Sequence, residues 1–250
     1  MRRLLLLLTP LLLGASKPVL VPDVSARSIE IRYSFSGAQL LLFGAILYPG
    51  GRLPSEQAHI AIVVKGPVQP IVVREKHKIA GIWMNADSHR FSSAPSFYAI
   101  ASSEPIAKLV DERTAAIYEL GLGNLQLSPG GGALPDKERR FEKGLLDLRK
   151  RQRLYFEDPK GVEISQGVLY RARIAIPIQV PVGTYTAETF LIADQRVLAA
   201  ATREIEIGKS GFERYVALAA RRHSVFYGLA AMLMSLGLGY AAAWAFARRP

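Results

Sequence analysis

Residues 86–93 read ADSHRFSS and place the three residue types of a hydrolytic triad side by side, Asp87, Ser88 and His89. Such a triad needs the serine oxygen, the imidazole and the carboxylate in one hydrogen-bonded chain. Neighbouring residues of an extended segment point in different directions, and known triads assemble from distant parts of a fold. No G-x-S-x-G elbow accompanies the stretch. We therefore interpret it as a polar loop and predict no catalytic residue there.

The histidines do not form a metal-binding pattern either. They are His59, His77, His89 and His223, and none of these positions has the short spacing that is typical of zinc ligands. The chain contains no cysteine, which excludes disulfides and thiolate metal sites. We expect no metal, no cofactor and no enzymatic activity. One alternative stays open, an enzyme whose site converges only in the fold, with His59, His77 and His89 as its candidate side chains.

Two short basic clusters remain, REKHK at residues 74–78 and LRKRQR at residues 148–153. The first precedes Trp83, and a cationic turn beside an aromatic ring would suit an anion or a lipid headgroup. The alternative is a solvated hairpin tip followed by a tryptophan in the core. Charged turns between strands are common, and cations at the end of a helix complement its dipole. We favour these structural explanations and assign neither cluster a ligand.

The region from Val225 to Ala247 contains no acidic, basic or histidine side chain. As a helix it would extend about 34 Å, which is enough to cross a hydrocarbon core of about 30 Å. Aromatic residues stand near both of its ends and arginines flank it, as is typical at membrane interfaces. Residues 224–247 are therefore predicted to form a transmembrane helix.

Small residues recur at every fourth position of this predicted helix. They are Ala231, Ser235, Gly239, Ala243 and Ala247. Small side chains allow two membrane helices to approach each other closely. We expect this face to pack against the helix of a membrane-protein partner or of a second copy of the chain.

Residues 1–16 have the layout of a signal peptide, with two arginines, an apolar run from Leu4 to Leu13, and then small residues. The apolar run is too short to anchor the chain in a bilayer. A cleaved signal followed by one span predicts a bacterial inner-membrane protein. Its bulk would lie in the periplasm and its C-terminus in the cytoplasm.

The chain is basic, with 32 Lys and Arg against 21 Asp and Glu and a net charge of +11. This balance suits an anionic membrane surface or an acidic partner. No nucleic-acid recognition motif occurs in the sequence, so we expect no nucleic-acid partner.

Short β-rich runs separated by turn residues make up most of the predicted exported part. Residues 79–85, IAGIWMN, are interpreted as one of these strands. In a later strand the apolar residues that begin at Leu169 do not alternate perfectly, which indicates a bulge near Tyr170.

Between two β-rich blocks the apolar period becomes helical. One helix is predicted to be capped by Ser103 and to continue to Leu120, and a second to cover residues 136–156. A further amphipathic stretch at residues 208–223 predicts a juxtamembrane helix that leads into the span.

Strands this short with frequent turns favour an immunoglobulin-like β-sandwich with an inserted helical pair, followed by one transmembrane helix. Whether the two β blocks form one sandwich or two stays open. The predicted boundaries are 1–16 for the signal peptide, 17–101 for the first β block, 102–158 for the helical insertion, 159–207 for the second β block, 208–223 for the juxtamembrane helix, 224–247 for the transmembrane helix and 248–250 for the cytoplasmic tail.

A series of segments in this order resembles a known family. They read FSGAQLLLFGAI, VVKGP, VVREKHKIAGIWMN, PSFYAIASSEP, IPIQVPVGTYTAETFLI and GFERYVALAARRHSVFYGLAA. From about Val24 to Trp244 the chain is similar to the alphaproteobacterial family known as putative transmembrane proteins. The resemblance implies a signal-bearing, single-span protein without an assigned activity, so it brings no catalytic residue. It also implies an accessory role in transport, since members look to be encoded near sulfite-exporter-type permeases.

The function expected from the sequence is that of a membrane-anchored periplasmic accessory or binding protein that supports a permease. Two alternatives stay open. One is an envelope structural module that binds lipid or peptidoglycan through its basic patches, and the other is the enzyme considered above.

Overall fold

The computed structural model of the protein describes residues 18–31, 37–51, 57–130, 134–209 and 212–247. The strands are β1 (Val19–Val24), β2 (Ser28–Ile31), β3 (Ala38–Leu47), β4 (His59–Lys65), β5 (Val68–Ile79), β6 (Ile82–Pro95), β7 (Tyr98–Ser102), β8 (Ser128–Pro129), β9 (Tyr155–Asp158), β10 (Val162–Ser165), β11 (Leu169–Ile176), β12 (Gly183–Ala193) and β13 (Arg196–Lys209). The helices are α1 (Ile106–Leu109), α2 (Glu112–Ile117), α3 (Pro135–Arg151), α4 (Phe212–Arg222) and α5 (Ser224–Ala247). The predicted signal peptide and cytoplasmic tail lie outside the described residues.

The strands of the described residues form three sheets. The first has the order β1-β3-β11-β10, the second β2-β13-β12-β4-β7-β9, and the third β5-β6-β8. Both predicted β blocks contribute to each of the two larger sheets, because β3 pairs with β11 and β4 pairs with β12. The prediction of a mainly-β protein with one C-terminal apolar helix is confirmed, and the two blocks are interleaved. The immunoglobulin-like arrangement stays a prediction.

Strand β4 lies between β7 and β12, and residues 60–64 have no exposed surface. Every second residue of a strand points to the same face of its sheet. One face of β4 therefore carries Ile60, Ile62 and Val64. Strands of the four-stranded sheet contact β4, β7 and β12 directly. The inner side chains of both sheets belong to one hydrophobic cluster.

Residues 103–127 cover the other face of the six-stranded sheet. The ring of Tyr118 lies 5.4 Å from that of Phe190 in β12. Lys65 of β4 forms an ion pair of 2.7 Å with Glu119. The phenol of Tyr98 in β7 donates a hydrogen bond of 2.6 Å to the carbonyl of Glu119. The segment between the two β blocks is therefore a cover for the sheet.

The helices of this segment differ from the prediction. Two short helices, α1 and α2, replace the single helix that was expected from Ser103 onward. The side chain of Asp111 caps α2 by accepting from the backbone N–H of Thr114 at 2.8 Å. The Ser103 hydroxyl instead lies 3.2 Å from Nδ1 of His59. The expectation that Ser103 caps a helix was wrong because α1 begins only after Pro105, which occupies its N-cap position and gives no side-chain cap, so that Ser103 lies too far upstream.

The second predicted helix is present but shorter than expected. Helix α3 ends at Arg151, and Tyr155 belongs to β9, which pairs in parallel with β7. The hydroxyl of Tyr155 donates to the carbonyl of Pro95, and burial raises the pKa of Tyr155 to about 12. This tyrosine therefore remains a neutral hydrogen-bond donor that ties β9 to the end of β6.

The predicted bulge near Tyr170 was also wrong. Strand β11 keeps a continuous register with both β3 and β10, with Tyr170, Ala172, Ile174 and Ile176 buried and Leu169 exposed. Tyr170 was not counted among the apolar residues of this strand, yet its large ring lies on the buried face. The register shift of the six-stranded sheet lies instead between Leu191 and Ile192.

We predict that Gly44→Ala destabilises the β body. Gly44 of β3 lies opposite Tyr170, and a Cβ at this position would lie 2.5 Å from the carbonyl oxygen of Val21 and in collision with the Tyr170 ring. A backbone atom cannot move aside as a flexible side chain would, so the unfolding free energy should fall by about 1–3 kcal/mol. Denaturant titration of the purified protein, followed by circular dichroism, measures this change.

Gly123→Ala is the matched control, because a Cβ at Gly123 meets no atom within 4 Å. Its effect should stay within about 0.5 kcal/mol. Equal losses of stability in the two variants would contradict the packing described for Gly44.

Candidate functional site

The hairpin formed by β5 and β6 leaves the six-stranded sheet at Gly66 and Pro67. The N–H of Gly66 donates to the carbonyl of Phe97 at 2.8 Å, and the N–H of Ser96 donates to that of Pro67 at 3.0 Å. Pro67 packs so closely on Gly183 that a Cβ there would lie 2.9 Å from the proline ring. These contacts fix the base of the hairpin at the end of the sheet where β12 begins.

A two-residue turn closes the hairpin. Ala80 and Gly81 both have positive φ, 48° and 86°, and Ile79 pairs directly with Ile82. Positive φ at both central residues is the geometry of the type I′ turn that matches the twist of two antiparallel strands. The prediction of one strand over residues 79–85 was therefore wrong, since the chain reverses direction in its middle.

The hairpin tip, residues 76–85, exposes four large apolar side chains. Ile79, Ile82, Trp83 and Met84 are exposed by 50%, 68%, 65% and 50%. The expectation that Trp83 belongs to the core was wrong. The Ala80-Gly81 dipeptide between two apolar residues was the sequence signal for a turn at this point.

The tip has two chemically different faces. Trp83 lies opposite Lys78, and Asn85 lies opposite Lys76, so a basic face carries both lysines and the indole. Met84 lies opposite His77, and Ile82 opposite Ile79, which gives an apolar face on the other side. The basic cluster of the sequence therefore does lie beside an aromatic ring on the protein surface.

Helix α3 braces the lower half of the hairpin. Phe141 and Leu145 of α3 form a second hydrophobic cluster with Phe91 and Ala94 of β6. This cluster fixes the strands below the tip against the helix.

Ion pairs extend this brace toward the tip. The carboxylate of Asp87 accepts from Lys137 and, at 3.0 Å, from Arg140 of α3. Arg140 also lies 3.2 Å from Glu75 on the opposite strand. The hydrogen bond from Lys137 is the main cause that lowers the pKa of Asp87 below its ordinary value of 3.8. The brace ends at Asp87 and Glu75, so the tip projects beyond it.

The Asp87-Ser88-His89 stretch lies in β6, so the prediction of a polar loop was wrong. Asp87 and His89 lie on the face toward α3, whereas Ser88 lies on the opposite face, across from Arg74. The buried imidazole of His89 packs edge-on against Phe91 with a centroid distance of 4.9 Å. Asp87 pairs with α3, His89 packs on aromatic rings and Ser88 lies on the other face, so the three side chains are not aligned as a hydrogen-bonded chain.

The candidate histidines are not brought together. His59 contacts Ser103, His77 lies 3.4 Å from Glu75, and His89 lies among aromatic rings. His223 connects α4 to α5. In the part of the chain that the structure describes, no group of three His, Asp or Glu side chains is placed to hold a metal ion.

The second basic cluster, LRKRQR, forms the end of α3 and the turn after it. Lys150, Arg151 and Arg153 line an open cleft of about 830 Å³. Apolar residues such as Phe156 and Ile176 line the same cleft. The cations follow the helix terminus as the dipole argument predicts.

The span predicted from the sequence is helix α5. Its segment Ser224–Trp244 is long and apolar enough to cross a membrane, and none of its residues is buried. Ala231, Ser235, Gly239 and Ala243 are all exposed on α5. Successive members are rotated by about 40° around the axis, so they form a stripe that winds slowly around the helix. Its role as a packing face stays a prediction.

Among the residues that the structure describes, interleaved β-sheets are followed by one exposed apolar helix, which is the architecture of a mainly-β protein with a candidate C-terminal span. A comparison with family models agrees with this class. The model described as "Putative transmembrane protein (Alph_Pro_TM)" matches residues 19–248, and the chain belongs to this family. The resemblance noted in the sequence is confirmed, and the family is one of unknown function. Searches of curated proteins and of solved structures gave no match.

We predict that Asp87→Asn loosens the hairpin from α3 at neutral pH. Because its pKa is lowered in the folded protein, Asp87 stabilises the brace fully above its ordinary pKa of 3.8 and loses this effect as the pH falls through the lowered value. Hydrogen exchange in β5, β6 and α3 should be faster in the variant than in wild type at pH 7. The two proteins should converge at strongly acidic pH, where Asp87 is itself neutral.

Asp136→Asn is the control, because the carboxylate of Asp136 is 93% exposed and pairs with Arg139 within the same helix. Its exchange should match wild type at both pH values. A difference between Asp87→Asn and wild type that persists at acidic pH would contradict the ionic brace.

Proposed function

We propose that the protein is a non-enzymatic accessory or binding protein of the bacterial inner membrane that holds its β body beside a membrane-protein partner. The observation that carries this proposal is the connection between the body and the apolar helix. The N–H of His223 donates to the carbonyl of Ala219, and the N–H of Tyr227 donates to that of His223, both at 2.9 Å. Hydrogen bonding therefore continues from α4 into α5, and Leu218 and Arg221 of α4 line a cleft with Gly183 and Ile207 of the body. Both observations support a position of the body close to the membrane.

We place the β body in the periplasm and the C-terminus in the cytoplasm, supported by the signal-peptide layout of residues 1–16. Reporter fusions test this orientation. A periplasm-active reporter inserted after His223 and a cytoplasm-active reporter fused after Pro250 should both be active. Reporters that indicate the same compartment for both positions would contradict a single span.

A permease of the sulfite-exporter type is the partner that we propose, supported by the family resemblance. The stripe of small residues on α5 offers a contact surface for a helix of that partner. A four-residue repeat of small side chains favours close, right-handed helix crossings in membranes. A simple anchor would not require such a repeat.

We predict that Gly239→Leu weakens association of the span with its partner by about 1–2 kcal/mol, because the leucine side chain separates the two helix backbones. Apart from the backbone of α5 itself, no described atom lies within 4 Å of the position that a Cβ at Gly239 would take, so the fold of the chain should tolerate the change. Co-purification of the full-length protein with membrane proteins in mild detergent measures the association.

Leu233→Ile is the matched control, since this residue lies about 120° around the helix from Gly239 and the change hardly alters its volume. It should co-purify like wild type. If Gly239→Leu retained every membrane-protein contact of the wild type, including self-association, the stripe would have no packing role and α5 would be an anchor alone.

A further inference from the structure

We propose that the hairpin tip is a second membrane contact, which inserts its apolar residues into the interfacial region of an anionic lipid bilayer. This contact goes beyond the partner proposed for the span and does not depend on it. Its occupant is lipid from the same membrane that α5 crosses.

The composition of the tip matches the membrane interface on both of its faces. Ile79, Ile82 and Met84 form the apolar face, and each is at least half exposed. An indole ring favours the level of the lipid headgroups, where its apolar body and polar N–H are both satisfied. Trp83 is 65% exposed and therefore free to occupy this level.

The charges of the tip complement anionic headgroups. Lys78 lies directly opposite Trp83, and Lys76 is two residues nearer the base on the same face. Lysine stems can extend along apolar surface while their ammonium groups reach lipid phosphates. The neighbouring carboxylate of Glu75 is engaged by Arg140 and faces His77, so it lies on the other side of the strand from the lysines.

The backbone of the tip is suited to a shallow insertion. An open strand edge cannot enter the hydrocarbon region because its unpaired N–H and C=O groups would lose water without replacement. In the tip the two strands pair up to Ile79 and Ile82, and only Ala80 and Gly81 lie beyond this pair. Side chains can therefore reach the acyl boundary while the strand edges stay among the headgroups.

The base of the hairpin lies at the end of the sheet from which the chain continues to the membrane. Pro67 contacts Gly183, and Gly183 pairs with Ile207 near the end of β13. Leu218 and Arg221 of α4 line a cleft together with Gly183 and Ile207. The helix that leads into α5 is thus next to the strand ends from which the hairpin starts.

Trp83 is also the natural probe, because the chain contains two tryptophans and the other one, Trp244, lies in α5. Full-length Trp244→Phe protein is reconstituted into vesicles of phosphatidylethanolamine and phosphatidylglycerol. The emission maximum of Trp83 should lie at a shorter wavelength than that of N-acetyltryptophanamide, a control that is fully exposed to water in detergent-free buffer. Acrylamide should quench Trp83 several-fold less than it quenches this control. Lipids brominated on the upper acyl chain should quench the emission of Trp83.

Two variants in the Trp244→Phe background test whether the tip itself causes the insertion. Ile82→Glu places a charge on the apolar face and should return Trp83 to water, with loss of quenching by brominated lipid. Val72→Glu makes the same change at a 49% exposed position of the same hairpin below the tip and should leave quenching by brominated lipid as it was. Circular dichroism of each variant checks that the β body remains folded.

Three results would overturn the proposal. Emission from Trp83 that is fully accessible to acrylamide and insensitive to brominated lipid would place the tip in water. Protection from acrylamide without quenching by brominated lipid would assign the tip to a protein contact, such as a second copy of the chain. Equal quenching by brominated lipid in Ile82→Glu and Val72→Glu would show that the apolar face does not determine the insertion.

Discussion

The burial of β4 on both faces is the constraint on which the other parts of the body depend. A strand with two buried faces needs cover on each side, and burying each of its Ile and Val side chains contributes about 1.5–3 kcal/mol. The four-stranded sheet covers one face, and the segment from Ser103 to Leu127 covers the other. The segment that interrupts the two β blocks in sequence is therefore a necessary part of the fold in space. The same strand also sets the origin of the hairpin, because β5 follows it after two residues.

Much of the fold could be predicted from the sequence because local patterns carry it. Strands β3 and β12 match their apolar runs closely, since hydrophobic residues and turn residues mark both of their ends. Helix α5 could be predicted equally well, because its segment lacks charged residues. Pairing between distant strands could not be predicted in this way. Nothing in the local pattern of β2 indicates that it pairs in parallel with β13, the last strand of the body in the sequence.

The surface of the hairpin shows why a candidate site is harder to predict than a strand. Trp83 was expected in the core, because the basic residues before it were interpreted as an ordinary charged turn between strands. Its exposure follows from two facts that are not local to it, the chain reversal at Ala80 and the end of the brace at Asp87. His89 shows the reverse case. It was expected in a polar loop, yet the packing of Phe91 and Phe141 around it removes it from solvent.

The parallel pairing of β2 with β13 has a consequence for the order of events during biosynthesis. Ser28 and Ile31, near the start of the body, can acquire their partners Glu206 and Lys209 only after almost the entire body has left the ribosome. The next segments to emerge are then α4 and the apolar helix α5. The sheet is therefore completed at nearly the same time as the chain is ready to enter the lipid phase. During this interval the strands that wait for β13 keep unpaired edges, because contacts between distant segments form slowly, and such edges favour aggregation.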